Sequence, residues 1–276
     1  MHSTNTHVIN KKAFAHAAKR NPRSHKGDNG TVLVIGGSDT YTGAPILAAT
    51  AALRAGADKV ILAAPRSVAI AANTYTPDLI TIKLPGNKLS TTHLPLLKKA
   101  AQEADIVLIG NGAGSNTMSV IKAFLAWRKK QLVIDADAIQ ATNLATVHNT
   151  ILTPHTKEFN KLLAANRTTK EQLASKLGTN TILLKGHHDL IITAKQTWKN
   201  TSGTAAMTVA GTGDVLAGVC AGLYAQIKEN TLSARIAAYA TGKAGEQLEK
   251  HVGNGLLASD LLLAIPKTLR KLCIWT

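Results

Sequence analysis

The sequence predicts an α/β fold with a mostly parallel central sheet and helices on both faces of that sheet. Short runs rich in valine, isoleucine and leucine alternate with longer runs rich in alanine and leucine, a pattern typical of strands joined by crossover helices. Hydrophobic residues make up 45% of the 276 residues, enough to cover both faces of such a sheet. Since no linker, repeat or low-complexity stretch interrupts the chain, residues 1–276 are predicted to form one domain with an N-terminal extension at 1–23.

Local signals place the elements along the chain. The run Thr31–Ile35 is rich in β-branched residues and ends at two glycines, so it predicts a strand. The alanine-rich run at 43–56 stops at a glycine, as helices commonly do. Ligands of open parallel sheets bind beyond the carboxyl ends of the strands, so the segments that follow the strands are the candidate site. The remaining predicted elements, in chain order, are a helix at 11–19, strands at 59–64 and 105–109, a helix at 115–128, strands at 131–135, 150–153 and 181–185, and three helices from residue 212 onward.

The charge balance favours anionic partners. The chain has 32 Lys+Arg against 16 Asp+Glu, a formal net charge of +16, which attracts nucleic acids, membrane surfaces or phosphorylated small molecules. The basic residues are scattered, aromatic residues make up only 4%, and no nucleic-acid-binding motif is present. No apolar run approaches the ~18 residues that a membrane span needs. We therefore predict small anionic ligands, no nucleic acid or membrane partner, and a cytoplasmic location.

The segment Ala210–Gly218 is the most informative stretch for chemistry. Gly211 and Gly213 let the backbone approach a ligand at the start of a predicted helix, where free N–H groups and the positive end of the helix dipole bind anions. Asp214 falls in the first turn of that helix and is placed to act as a general base on a hydroxyl group that attacks a bound phosphate. The plainer alternative is that Asp214 only stabilises the helix as a first-turn acid.

Polar residues also follow four of the predicted strands. Because the carboxyl ends of parallel strands meet at one edge of a sheet, these residues are expected to lie close together. They are the glycine-rich loop 110–114, the acids Asp135 and Asp137, His155 with Glu158 at the start of a predicted helix, and Lys185 with Gly186.

Two acidic or histidine-rich stretches have more than one interpretation. Asp135 and Asp137 are not expected to form a carboxylate pair. Asp137 is predicted to cap a helix, and Asp135 to support the fold or to lie near Mg²⁺. The segment 187–189, His-His-Asp, resembles a metal-binding motif, but neighbouring histidines rarely face one ion. A solvated loop between two strands is the favoured prediction there.

Several motifs in a fixed order resemble the NAD(P)H-hydrate dehydratase family, which has the ribokinase-like fold. The resemblance runs from about Ser24 to Leu269, nearly the whole chain. It rests on SHKGDNG at 24–30 with the following VLVIGGS, on YTGAP at 41–45, and on IDADA, TPH, LLKG, GTGDVLAG and GLLASDL further along. The resemblance implies a repair enzyme, a lyase. It phosphorylates the hydroxyl of hydrated NADH or NADPH with ADP or ATP and then eliminates phosphate.

The same resemblance implies roles for individual residues, Mg²⁺ as the cofactor, and a homotetramer. The catalytic residues would be Asp214 with Gly211, Thr212 and Gly213; the hydrate would contact Ala44, Gly112, Gly114, His155 and Asp214; the nucleotide would contact Lys185, Gly186, His187, His188, Asp189 and Gly213; and Glu158 would hold the metal through water.

The chain departs from the family pattern at four places, one of which is Thr156-Lys157, where Pro-Gly often follows the TPH motif. Asn111 stands where the family usually has proline in a Gly-Pro-Gly-Leu-Gly loop, and Ala210 replaces a glycine before the catalytic segment. His-His-Asp at 187–189 replaces the usual residues of the nucleotide-binding stretch, and its acid, Asp189, would repel phosphate or help to hold a cation.

Other functions remain open on the sequence. Asp214 and its anion site would equally serve a small-molecule alcohol kinase of the same fold, acting on a thiazole or pyrimidine alcohol. The loop departures would fit a non-catalytic nucleotide-binding module. A Rossmann dehydrogenase is disfavoured, because the glycines after Thr31–Ile35 do not follow the GxGxxG spacing.

Overall fold

The computed structural model describes residues 6–275, which are organised around a ten-stranded sheet in the order β1-β10-β9-β8-β7-β6-β5-β2-β3-β4. Among these strands, β9 runs against the others, since it pairs antiparallel with both of its neighbours. The remaining pairs are parallel, as the sequence predicts. The strands are β1 (Thr6–Val8), β2 (Thr31–Ile35), β3 (Lys59–Pro65), β4 (Ile80–Leu84), β5 (Ile106–Ile109), β6 (Lys130–Ile134), β7 (His148–Leu152), β8 (Thr181–Leu184), β9 (Asp189–Ile192) and β10 (Thr197–Asn200).

Helices cover both faces of the sheet. The apolar residues of α1, α2, α7, α8 and α9 pack on one face, and those of α3, α4, α5 and α6 pack on the other. No helix within residues 6–275 is long and apolar enough to cross a membrane. The helices are α1 (Gly43–Arg54), α2 (Arg66–Tyr75), α3 (Leu94–Gln102), α4 (Met118–Trp127), α5 (Thr156–Ala165), α6 (Leu173–Leu177), α7 (Thr212–Ile227), α8 (Asn230–Val252) and α9 (Ala258–Lys271).

The central strands are apolar throughout because both of their faces are buried. In β2, Val32 and Val34 belong to the core on one side of the sheet, whereas Leu33 and Ile35 belong to the core on the other side. All four side chains are fully buried. Continuous apolar runs of this kind are expected of strands in a doubly covered parallel sheet, so the physical basis of the sequence prediction holds.

Helices α1 and α7 approach each other unusually closely. A Cβ atom on Gly218 would overlap the backbone oxygen of Ala48, and one on Gly222 would overlap the backbone oxygen of Ala52. Alanine on α1 and glycine on α7 therefore let the two backbones touch. This contact fixes the position of α7, whose first turn carries Asp214.

The predicted helix from Lys11 to Lys19 is wrong. Only a short 3₁₀ turn forms, at Lys11–Phe14, and His16 has a φ of 61°, which a right-handed helix does not accommodate. The Phe14 side chain is fully buried in the core, and β1 pairs with β10 at the edge of the sheet. Residues 6–14 are thus built into the fold and do not extend from it. Residues 1–5 of the predicted extension lie outside the described residues.

Candidate active site

The first turn of α7 places Asp214 beside the carboxyl ends of the strands. Gly211 precedes the helix with a φ of 92°, and a Cβ atom there would lie 2.7 Å from Cδ1 of Leu47. Only glycine accommodates both the left-handed backbone and the close neighbour. The helix begins at Thr212 with Asp214 in its first turn, where the unpaired N–H groups create an anion site.

A buried polar network joins Asp214 to the strand ends. The carboxylate of Asp135 accepts hydrogen bonds from Asn111 Nδ2 at 2.8 Å, from Thr153 Oγ1 at 2.8 Å and from Lys185 Nζ at 3.0 Å. The same Asn111 nitrogen donates to Oδ1 of Asp214 at 2.7 Å. Segments that follow β5, β6, β7 and β8 therefore meet at the start of α7. The structure brings together Asp135, Lys185 and Asp214, as the sequence predicts, and gives Asp135 a structural role.

The network shifts the protonation equilibria of its members. Burial, followed by the negative charge of Asp135, raises the pKa of Asp214 to about 6, against the opposing effects of the Asn111 hydrogen bond and the Lys185 charge. For Lys185, burial lowers the pKa, but the nearby carboxylates, above all Asp135, outweigh it and leave the pKa raised. Lys185 is therefore a fixed cation. Asp214 is ionised at neutral pH yet more basic than an ordinary carboxylate, which suits a general base.

Lys185 lies directly beside the anion site. A Cβ atom on Gly213 would be 3.3 Å from its Nζ atom, so the bare backbone of Gly213 leaves room for the ammonium group at the start of α7. Although the side chain is 19% exposed, its charge is held in place by the 3.0 Å contact with Asp135. Main-chain N–H groups and one cation thus converge on the same point.

A cleft of about 560 Å³ opens on one side of this point. The sequence identified its Lys185–Asp189 wall, whereas the wall formed by 201–208 and α8 has no recognisable motif. On α8, the hydroxyl of Thr241 is buried and has no hydrogen-bond partner among the described residues. The lining residues are Lys185, Gly186, His187, His188, Asp189, Thr201, Ser202, Gly203, Thr204, Ala205, Met207, Thr208, Thr212, Gly213, Leu216, Ala238, Thr241 and Gly242.

The His-His-Asp turn at 187–189 lines this cleft, and its side chains are not arranged like the ligands of a metal ion. The imidazole rings of His187 and His188 lie 4.4 Å apart between centroids. Asp189 accepts the Gly186 N–H at 3.2 Å and the Asn200 side-chain amide at 3.1 Å. Both oxygens of Asp189 are therefore engaged within the strand-turn-strand segment. This arrangement matches the prediction of a loop between strands.

A second cleft, of about 590 Å³, lies on the side of the glycine loop 110–114. The backbone N–H of Gly114 donates to Asp137 at 2.8 Å, so Asp137 anchors this loop. The prediction that Asp137 caps its own helix is wrong, since its carboxylate faces the loop that follows β5. A Cβ atom on Gly112 would meet the Tyr41 backbone oxygen at 2.7 Å and Ala44 Cβ at 3.1 Å. The lining residues are Ser38, Asp39, Thr40, Tyr41, Asn87, Lys88, Ala113, Gly114, Ser115, Asn116 and Asp137.

His155 and Glu158 form a capping box at the start of α5. His155 Nδ1 accepts the Lys157 N–H at 3.0 Å, and Glu158 Oε2 accepts the His155 N–H at 2.8 Å. The His155 ring is half exposed and is absent from the linings of the two clefts. Glu158 is close enough to Asp214 for its charge to raise the pKa of that carboxyl.

Within residues 6–275, no group of three or more His, Cys, Asp and Glu side chains is arranged to hold a metal ion.

The fold and the site define a protein of the ribokinase-like class. A solved ribokinase-like superfamily protein from Enterococcus faecalis superposes with a TM-score of 0.85 at 27% identity, covering 98% of this chain and 97% of that one. The sequence profile described as NAD(P)H-hydrate dehydratase matches residues 32–267. The chain belongs to the NAD(P)H-hydrate dehydratase family.

Relatives with assigned names agree with this family. The ADP-dependent (S)-NAD(P)H-hydrate dehydratase of Cenarchaeum symbiosum is 37% identical, covering 90% of this chain and 91% of that protein. The ADP/ATP-dependent NAD(P)H-hydrate dehydratase of Bacillus subtilis, co-crystallised with ATP and Mg²⁺, has a TM-score of 0.79 at 25% identity, over 97% and 99% of the two chains. Other relatives are bifunctional NAD(P)H-hydrate repair enzymes, such as that of Pyrobaculum aerophilum at 39% identity over 91% of this chain. The chain spans about half the length of those bifunctional relatives, 53% in this case.

Proposed function

We propose that this chain uses ADP or ATP to dehydrate hydrated NADH and NADPH, restoring the reduced nicotinamide. The observation that carries the proposal is the position of Asp214, a partly buried carboxylate beside the anion site. One cleft reaches this point at Thr212 and Gly213. The loop 110–114 leads to the second cleft, because Asn111 contacts Asp214 and Gly114 lines that cleft. Two separate ligands, a nucleotide and a hydrate, fit this arrangement.

In the proposed reaction Asp214 accepts the proton of the hydrate hydroxyl. The hydroxyl oxygen attacks the terminal phosphorus of the nucleotide, and the bond to the bridging oxygen breaks, so that AMP leaves from ADP or ADP from ATP. The N–H groups at the start of α7 and the ammonium of Lys185 stabilise the negative charge on the transferred group. Phosphate then leaves the ring carbon, while the neighbouring carbon loses a proton and its electron pair forms the ring double bond.

The residues around Asp214 fit a magnesium ion. Mg²⁺ prefers oxygen ligands and keeps several waters, with one or two carboxylates and the nucleotide phosphates completing its shell. Glu158 lies near Asp214 and would hold the ion through water, as its family resemblance implies. When bound, the ion neutralises phosphate charge during transfer. The His155 N–H fixes the Glu158 carboxylate through the 2.8 Å bond.

An assay of reduced-nicotinamide recovery tests the proposal. Hydrated NADH is incubated with the protein, Mg²⁺ and either ADP or ATP, and the absorbance of the reduced ring is followed. We expect recovery with at least one nucleotide and none without a nucleotide. A parallel incubation replaces hydrated NADH by a thiazole or pyrimidine alcohol: nucleotide consumption only there would indicate an alcohol kinase instead, and no consumption with either acceptor would indicate a nucleotide-binding module.

The pH dependence of turnover provides a second test. The general base must be ionised, and the pKa of Asp214 is raised to about 6 by burial and by Asp135 and Glu158, against Asn111 and Lys185. The rate is therefore expected to fall about tenfold per pH unit below pH 6 and to level off above it. Initial rates between pH 4.5 and 8.5 at saturating substrates measure this limb. A rate independent of pH between 5 and 7 would remove Asp214 from the role of base.

Three broader predictions come from the sequence and its resemblance alone. They are the single-domain organisation, the homotetramer and the cytoplasmic location, and each of them stays a prediction. Size-exclusion chromatography with light scattering measures the oligomeric state directly.

A further inference from the structure

Asn111 lies between the two buried carboxylates of the site. Its side chain is fully buried, and its Nδ2 atom donates to Asp135 at 2.8 Å and to Asp214 at 2.7 Å. Both N–H groups of the amide thus donate hydrogen bonds to carboxylates. By the family resemblance, proline usually stands at this position, and proline has no side-chain donor.

The other half of the amide has no partner. The Oδ1 atom of Asn111 is buried and receives no hydrogen bond from the described residues. The amide cannot be turned over to relieve this, because Oδ1 would then face two ionised carboxylates. A buried carbonyl without a partner costs folding free energy. Because this polar side chain lowers the stability of the fold, a role in the site explains its presence better than a role in folding.

We propose that Asn111 is a positioning residue, which holds Oδ1 of Asp214 and so keeps Oδ2 of Asp214 available to the substrate hydroxyl. Oδ2 has no hydrogen bond to any residue within 6–275 in the structure, so one oxygen is anchored and the other is free. The two hydrogen bonds from Asn111 also keep Asp135 and Asp214 from interacting directly. Each carboxylate accepts one N–H of the amide, so the two carboxylates do not share a proton. This inference rests on the proposed role of Asp214 as the general base.

Without Asn111, the surroundings of Asp214 would disfavour its ionised form. The charged groups that face Asp214 are Asp135 after β6, Glu158 on α5 and Lys185 after β8. The ammonium of Lys185 is held by Asp135 at 3.0 Å, so it cannot move fully to Asp214. Asn111 is then the one neutral donor within the described network that stabilises the Asp214 carboxylate by a direct hydrogen bond.

The substitution Asn111→Leu tests the proposal because leucine has a similar volume and no donor. We expect the acid limb of turnover to move up by about one pH unit, tenfold in proton concentration, with kcat reduced at pH 6 and partly restored at pH 8. The KM for the nucleotide is expected to change little, since Asn111 does not line the nucleotide cleft. Asn111→Asp, which adds a fourth carboxylate to Asp135, Glu158 and Asp214, is expected to move the limb further in the same direction.

A direct titration keeps the test independent of the reaction. In protein labelled with ¹³C at the aspartate carboxyl groups, the Asp214 signal is assigned with Asp214→Asn and titrated by NMR. Its pKa is expected to rise in Asn111→Leu even if hydrated NADH is not the substrate. Failure of the proposed function would leave this shift in place, whereas an unchanged Asp214 pKa would overturn the role of Asn111.

The matched control is Asn180→Leu. Asn180 is another buried asparagine, but its amide bonds the backbone of Val147 and Thr150 at the opposite edge of the sheet. This variant is expected to lose stability with no change in the pH profile or in the Asp214 titration. If both leucine variants lowered kcat equally at every pH, the effect of Asn111 would be structural and the proposal would fail.

Discussion

Replacing Asp214 by asparagine is expected to lower the rate of hydrate dehydration by about 10²- to 10⁴-fold, the usual contribution of a positioned general base. Asparagine keeps the shape of the side chain but cannot accept the hydroxyl proton. The backbone N–H groups at the start of α7 remain, so nucleotide binding should be largely unchanged. Single-turnover recovery of reduced nicotinamide measures the first effect, and calorimetric titration with ADP or ATP measures the second.

The same substitution is expected to stabilise the folded protein at neutral pH, although it lowers the activity. The pKa of Asp214 is raised in the folded protein to about 6 from 3.8, so the wild type loses stability as the pH rises through this interval. Above it, the charged carboxylate costs roughly 1–3 kcal/mol. Asp214→Asn removes that cost and is expected to raise the free energy of unfolding at pH 7.5 but not at pH 3.5. An inactive variant that is also less stable at pH 7.5 would point to misfolding as the cause of the lost activity.

Substituting Gly218 by alanine is expected to destabilise the protein by about 3 kcal/mol or more, at the upper end of overpacking effects. The added methyl group would overlap the backbone oxygen of Ala48, and a backbone atom cannot move aside like a side chain. Alanine favours the helix over glycine by only about 1 kcal/mol, so the overlap dominates. Urea unfolding, followed by circular dichroism, gives the change in the free energy of unfolding.

Gly43→Ala is the matched control for this substitution. Gly43 begins α1, and a Cβ atom there would have no other atom within 4 Å. The variant is expected to unfold at the same urea concentration as the wild type or slightly above it. Equal stability of Gly218→Ala and the wild type would mean that α1 and α7 can separate without cost, contrary to the close contact.

The central part of the fold is predictable because burial on both faces leaves a clear apolar pattern. Edge elements lack that pattern. Strand β4 is missed because four of its five residues are exposed or half-buried, and its Thr81 and Lys83 side chains hydrogen-bond to each other at 2.9 Å. The sequence places His155 at a helix start, and the structure confirms this, since His155 caps α5 in place of the usual Ser, Thr, Asp or Asn. At 11–19 the lysines and alanines favour a helix, but only the turn that buries Phe14 forms, and the positive φ of His16 prevents the helix from continuing.

In the site, motifs indicate residue types and their strand ends but not their partners. The positions of Asp214 and Lys185 follow from the order of strands and helices. The double contact of Asn111 depends on the distance between the ends of β5 and β6 and the first turn of α7, which no local pattern encodes. The cleft wall at 201–208 and Thr241 come from an irregular segment and a helix distant in sequence, so only the folded chain shows them.

The anion site at the start of α7 makes an unusual target for mutation. Around it, three carboxylates (Asp135, Glu158 and Asp214) face a single ammonium group, Lys185, so the side chains together repel an incoming polyanion. The main-chain N–H groups and any bound cation then provide the attraction, and no substitution other than proline removes a main-chain N–H group. This recognition element therefore depends on two features of the backbone: the left-handed conformation that Gly211 allows, and the contact of α1 with α7 at Gly218 and Gly222. The second feature lies in the helix interface and not among the residues that would touch phosphate.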